Sequence, residues 1–257
     1  MSELHAENIT IVAGDALLVN NVSLQIRSGE MVALLGPNGA GKSSLMRALA
    51  GIALPKAGRV IFDERDVSSA SVEWRARCMT YLPQQRVLAW PNRVRDIVSL
   101  GRFAHGAAMG RLNDSDARIV DKAMQDCEID HLGNRSADTL SGGEQARMHI
   151  ARALTAQSKL ILADEPVAEL DPRHQLSVIN VLRQFVQAGG GGLIVLHDLE
   201  LAARYADRLV FMKDGAIVAE GAPEDVLTVE LLANVYGVEA SIKNTETGLS
   251  LTIERPC

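Results

Sequence analysis

The sequence predicts an α/β fold, with an at least partly parallel sheet, an antiparallel β group near the N-terminus and a helical segment inserted into the core. Two observations carry this prediction. Short apolar runs bounded by turn residues, at 31–35, 160–163, 193–196 and 209–212, read as buried strands. Helical patterns at 42–50 and 174–187 follow the first two runs, giving the strand, helix, strand alternation of a parallel sheet.

The flanking elements follow in order. Residues 4–12, 22–26 and 59–62 alternate or run apolar between turn-like Asn20-Asn21, Ser28-Gly29 and Lys56-Ala57-Gly58, as in an antiparallel group. From 85 to 156 helix formers and charges dominate; only 88–90 looks strand-like, and loop signals stand at Trp90-Pro91-Asn92 and 106–110. The expected division is therefore a core of 1–84 and 157–257 with a helical subdomain at 85–156. The Gly189–Gly192 tract ends one helix and feeds the strand at 193. Past Gly215 come a short apolar run at 216–219, a helix started by Pro223, and an alternating tail at 238–253 folded about 244–248 as a hairpin.

Composition narrows the function. A chain of 257 residues, 47% apolar and 23% charged, is long enough for one large domain with its own core. Its net charge of −6 argues against a protein built to coat nucleic-acid phosphates. Cys78, Cys127 and Cys257 are far apart, without metal-ligand spacing, which fits a reducing compartment. The N-terminus lacks signal-peptide character and no stretch approaches 18 apolar residues, so any service to a membrane requires docking on other subunits.

Gly36-Pro37-Asn38-Gly39-Ala40-Gly41-Lys42-Ser43 is a complete phosphate loop between a strand and a helix, and Ser44 extends it. Its backbone N–H groups can curl around phosphate oxygens, Lys42 supplies a point charge to the β and γ phosphates, and Ser43 offers a hydroxyl to Mg²⁺. ATP and Mg²⁺ are the expected ligands. A second strand ends in Asp164-Glu165: Asp164 is the candidate metal ligand and Glu165 the candidate general base for the attacking water. Leu140-Ser141-Gly142-Gly143-Glu144-Gln145 opens another helix. A capping box accounts for Ser141 and Glu144 but not for Gly142-Gly143, which cost helix stability while leaving N–H groups accessible at a positive helix end.

These three motifs, in this order and spacing, closely resemble the ATP-binding subunits of ABC transporters over nearly the whole chain. The resemblance implies a phosphate-loop nucleoside triphosphatase core and a head-to-tail homodimer with two ATP molecules at the joint. Ser141, Gly142, Gly143 and Glu144 would then serve the nucleotide held by the partner's phosphate loop. It further implies that Gln84, with Gln85 as the alternative reading, senses Mg²⁺ and the attacking water. His197 would hold the γ phosphate and Glu165, and Asp171 would reach across the dimer. Two departures stand out: in Pro166-Val167-Ala168-Glu169-Leu170-Asp171, Val167 stands where the family usually has threonine and Glu169 where it has a small or neutral residue, and the position of the usual adenine-stacking aromatic falls on Val12-Ala13-Gly14, with no aromatic before Phe62.

A finer resemblance lies in Tyr81-Leu82-Pro83-Gln84, in Val94-Arg95-Asp96-Ile97-Val98-Ser99-Leu100-Gly101-Arg102, and in the tail with Gly221-Ala222-Pro223-Glu224 and Val235-Tyr236-Gly237. It points to importers of iron-siderophore, haem and cobalamin. The implied partners are integral membrane permease subunits, met in a groove at 86–101, and indirectly a substrate-binding protein; no nucleic acid is expected. The implied place is the cytoplasmic face of the inner or plasma membrane. An exporter or lipoprotein-release ATPase and a non-transport ABC ATPase stay open as alternatives.

Overall fold

The computed structural model describes residues 2–84, 92–108, 111–168, 170–245 and 248–257. The N-terminal antiparallel sheet is built from β1 (Glu3–Ala13), β2 (Ala16–Arg27), β4 (Ala57–Phe62) and β5 (Arg65–Asp66), in the order β2-β1-β4-β5. Alternate residues of β1 face inward on either side of an irregularity at Glu7-Asn8, so Leu4, Ala6, Ile9 and Ile11 enter the core. The expected turn at Asn20-Asn21 is corrected: both residues lie inside β2, and the turn falls at Gly14-Asp15. Asn21 adopts φ 51° and Asn20 N–H donates to Gly215 O, so the asparagines mark an irregularity in a long strand. Ala57 and Gly58 likewise belong to β4, not to a turn.

The main sheet, among the described residues, has the strand order β10-β9-β3-β8-β7-β6. Its strands are β3 (Met31–Leu35), β6 (Met79–Leu82), β7 (Leu160–Asp164), β8 (Gly191–Val195), β9 (Arg208–Lys213) and β10 (Ala216–Gly221). All neighbours pair in parallel except the edge pair β9 and β10. Every residue of β3, β7 and β8 is buried, as in a sheet covered on both faces. The helices α1 (Lys42–Leu49), α2 (Val72–Cys78), α6 (Pro172–Gln187) and α7 (Leu199–Tyr205) connect the strands. This topology brings the C-terminal ends of β3, β6, β7 and β8 to one edge, where α/β sheets bind ligands.

Between β6 and β7, α3 (Val94–Ser99), α4 (Asp114–Asp126) and α5 (Gly142–Thr155) pack on one another through Ile97, Val98, Val120, Met124, Met148 and Ile150. A buried ion pair fastens this unit. Arg102 Nε donates to Asp116 Oδ1 at 2.7 Å, and its Nη1 donates to Thr155 O and to Gln157 Oε1 at 2.9 Å each, so both charges are compensated. The strand-like residues 88–90 and the candidate Gln85 lie outside the described residues.

The chain ends in α8 (Pro223–Val226), α9 (Val229–Tyr236) and the antiparallel hairpin of β11 (Val238–Thr245) and β12 (Gly248–Pro256), the tail hairpin expected from its alternation. Cys78 and Cys127 are buried, Cys257 is exposed, and all three are free thiols. No described helix is long and apolar enough to cross a membrane.

Candidate active site

The loop from Gly36 to Ser43 turns sharply out of β3 into α1. Gly36 and Gly41 take φ of 142° and 95°, and a Cβ there would stand 2.1 Å from Met212 O and 2.3 Å from Leu18 O. Only glycine fits this path. Lys42 is buried, its Nζ donating to Gly36 O at 2.7 Å and to Pro37 O at 2.9 Å, so the ammonium sits inside the loop. Burial pulls its pKa down, and Glu165 and Asp164 oppose that shift. Tyr236, from the end of α9, reaches the same loop: burial pushes its phenol up to about 12, and the Gly36 backbone beside it opposes that shift.

The loop faces a cleft of about 430 Å³ whose lining includes Gly39 to Ser44, Leu18, Gln84, Glu165 and His197. Sequence-distant candidates therefore converge. Gln84 Nε2 donates to Glu165 Oε2 at 2.7 Å, and His197 Nε2 lies 2.6 Å from Glu165 Oε1. The Glu165 carboxylate is held on both oxygens by groups just past the ends of β6 and β8. Glu165 itself takes φ 50°, an uncommon conformation for a non-glycine residue at the end of a strand.

Asp164 is buried at the end of β7. Burial raises its pKa, and the neighbouring Ser43 and Tyr81 side chains oppose that shift. Tyr81 O–H donates to its Oδ2 at 3.2 Å, whereas its Oδ1 is buried with no hydrogen-bond partner among the described residues. An unsatisfied carboxylate oxygen beside a serine hydroxyl is the hard-oxygen pair that fits Mg²⁺, which takes one or two protein oxygens and fills its shell with phosphate and water.

Ser141 to Glu144 and Asp171 do not line the cleft. Ser141 caps α5: its hydroxyl accepts Glu144 N–H at 3.3 Å, and Glu144 Oε2 accepts Ser141 N–H at 2.7 Å, which holds the Glu144 carboxyl below its ordinary range. A Cβ on Gly142 would meet nothing within 4 Å, and one on Gly143 only Leu170 and His174 at 3.6 Å or more. Packing within the chain gives no reason for glycine at these helix-start positions, Gly142 exposed and Gly143 half-buried. Asp171 caps α6, accepting His174 N–H at 3.0 Å and lying 2.7 Å from His174 Nδ1; these contacts lower its pKa. Val167, one of the two unusual residues, is buried in the core, whereas Glu169 lies outside the described residues.

Three contact residues, Tyr81, Leu18 and Tyr236, were not singled out by the sequence as site residues. Tyr81 and Tyr236 stood inside the motifs at 81–84 and 235–237; Leu18 left no signal.

The model of the ABC transporter ATP-binding family matches residues 19–168, more than half the chain. The chain belongs to this family. The cassette is similar to the hemin import ATP-binding protein HmuV of Pseudomonas putida, 38% identical over 98% of this chain and 100% of that one. It is also similar to HmuV of Thermobifida fusca, 40% identical over 97% of this chain and 88% of that one. Among solved structures, an ATP-binding cassette in its ADP conformation superposes with a TM-score of 0.82 at 26% identity, covering 92% of this chain and 98% of that one. A metal-chelate type ABC transporter in an inward-facing conformation gives 0.84 at 24% identity, covering 98% and 97%, which bears on the fold alone.

Proposed function

We propose that this cassette is the ATP-hydrolysing subunit of an importer for an iron-siderophore, haem or cobalamin-type substrate, with haem favoured by the relatives named above. The observation that carries hydrolysis is the clasp of Glu165 by Gln84 and His197 beside the phosphate loop. Glu165 accepts the proton of the attacking water; His197, with its own proton on Nε2, orients the carboxylate, and Gln84 does the same from the other side. The loop N–H groups and Lys42 bind the phosphates. Ser43 and Asp164, with Gln84 nearby, would hold Mg²⁺, which when bound neutralises charge on the β and γ oxygens.

Residues 1–84 and 157–257 serve as the ATP-binding core and 85–156 as the helical subdomain. A homodimer explains Gly142-Gly143: glycines that no intrachain contact requires suit a surface that closes on a phosphate held by the partner, with Asp171 near the joint. The cassette works at the cytoplasmic face of the membrane on integral permease subunits, which a substrate-binding protein supplies. The test is growth on different iron sources after deletion of the gene: loss of growth on haem, with growth on ferrous salts retained, is expected, and undiminished uptake of every chelated substrate would overturn the importer reading.

A further inference from the structure

We propose that the C-terminal hairpin is a positioning element of the hydrolytic site, acting through Glu200. Asp198, next to His197, caps α7 by accepting Leu201 N–H at 2.9 Å, so the setting of this short helix fixes where His197 stands. One side of α7 is held by buried Leu199, Leu201 and Ala202. The other side is held by the hairpin: Glu200 Oε1 accepts Leu251 N–H at 2.7 Å and Ser250 Oγ–H at 3.2 Å. Leu251 pairs with Ile242 across the hairpin, yet its N–H is spent on the carboxylate. Charge-assisted bonds of this kind are about twice as strong as neutral ones.

The hairpin is itself anchored. Ala240 is buried, Ile242, Leu249 and Leu251 pack against the main core, and β11 leaves directly from α9, whose Tyr236 meets Gly36 of the phosphate loop. The tail therefore bridges the phosphate loop and the histidine helix. Displacement of a reacting group by about 1 Å can cost on the order of 100-fold in rate, so a partial loosening of α7 reaches turnover before it reaches ATP binding.

This inference rests on the hydrolytic reading of Glu165 and His197. Its test compares Glu200→Ala and Glu200→Gln in the full chain, measuring kcat, KM for ATP and hydrogen exchange of residues 198–205. Glu200→Ala is expected to lower kcat roughly tenfold with KM changed less than about twofold, and to speed exchange in α7. Glu200→Gln keeps an acceptor oxygen and stays within about threefold of the parent. Wild-type kcat in Glu200→Ala, or an equal loss in both variants, overturns the proposal. An active Glu165→Gln measured alongside would instead overturn the hydrolytic reading on which it stands.

Discussion

His197 Nε2 stands 2.6 Å from Glu165 Oε1 because their strands are adjacent and in register: Asp164 pairs with Val195 across parallel β7 and β8, which brings Glu165, one residue on, and His197, two residues on, to the same sheet edge. The histidine's ion pair is with Glu165, the proposed base, so its loss should act on chemistry. His197→Ala is expected to lower kcat by about 10- to 100-fold while KM for ATP changes less than about threefold. Steady-state kinetics check this, and a large rise in KM at unchanged kcat would count against it.

The signature motif, Ser141 to Glu144, has a different expected behaviour. Ser141→Arg places a bulky cation at the start of α5, away from the cleft of its own chain, so ATP binding to the monomer should persist while turnover is lost. Mixed with Lys42→Ala, it should regain activity, because the heterodimer pairs one intact phosphate loop with one intact signature. Full activity of the Ser141→Arg homodimer would refute the shared-site arrangement.

Burial of Asp164 yields a pH prediction. A carboxyl whose pKa is raised above its ordinary 3.8 holds its proton more tightly in the folded chain than in the unfolded one. Stability is therefore lost as pH rises from the unfolded value through the folded one, and the loss is complete at neutral pH. Asp164→Asn, measured without nucleotide or metal, should have a higher Tm than the parent at pH 7, with the gap narrowing toward pH 4, and should turn over ATP poorly. A lower Tm at pH 7 would contradict the assignment of burial as the dominant cause.

Base recognition should be weak. No aromatic side chain lines the cleft among the described residues; Leu18 supplies its apolar wall, and Ala13 is exposed. Aromatic stacking is typically worth about 1 to 3 kcal/mol per base. ATP and GTP should bind within roughly tenfold, about 1.4 kcal/mol, and Ala13→Tyr should tighten ATP. Competition titrations decide it; a preference for ATP above about a hundredfold would contradict the expectation.

The parallel strands and the phosphate loop were legible because their signals are local: apolar runs, a glycine-rich turn, paired acids at a strand end. Asn20-Asn21 misled for the same reason. Asparagine favours turns by local backbone bonding, yet here pairing of β2 with β1 overrides that preference and the chain accommodates it as an irregularity, Asn21 taking positive φ. Tyr81 could not be assigned from the sequence because its contact with Asp164, 83 residues away, depends on β6 lying beside β7. The same holds for Tyr236 on Gly36 and for Leu18 beneath Gly41, both products of distant elements meeting.

The most direct measurement is ATP turnover by Glu165→Gln beside the parent, with ATP affinity measured on the same preparations. The substitution keeps the size of the side chain and leaves Asp164, Ser43 and the phosphate loop in place while removing the base. Turnover should fall by about 100-fold or more with ATP affinity unchanged and the dimer trapped by ATP, since general-base catalysis is typically worth 10²- to 10⁴-fold. Retention of more than about a tenth of parental turnover would contradict the assignment of Glu165 as the base.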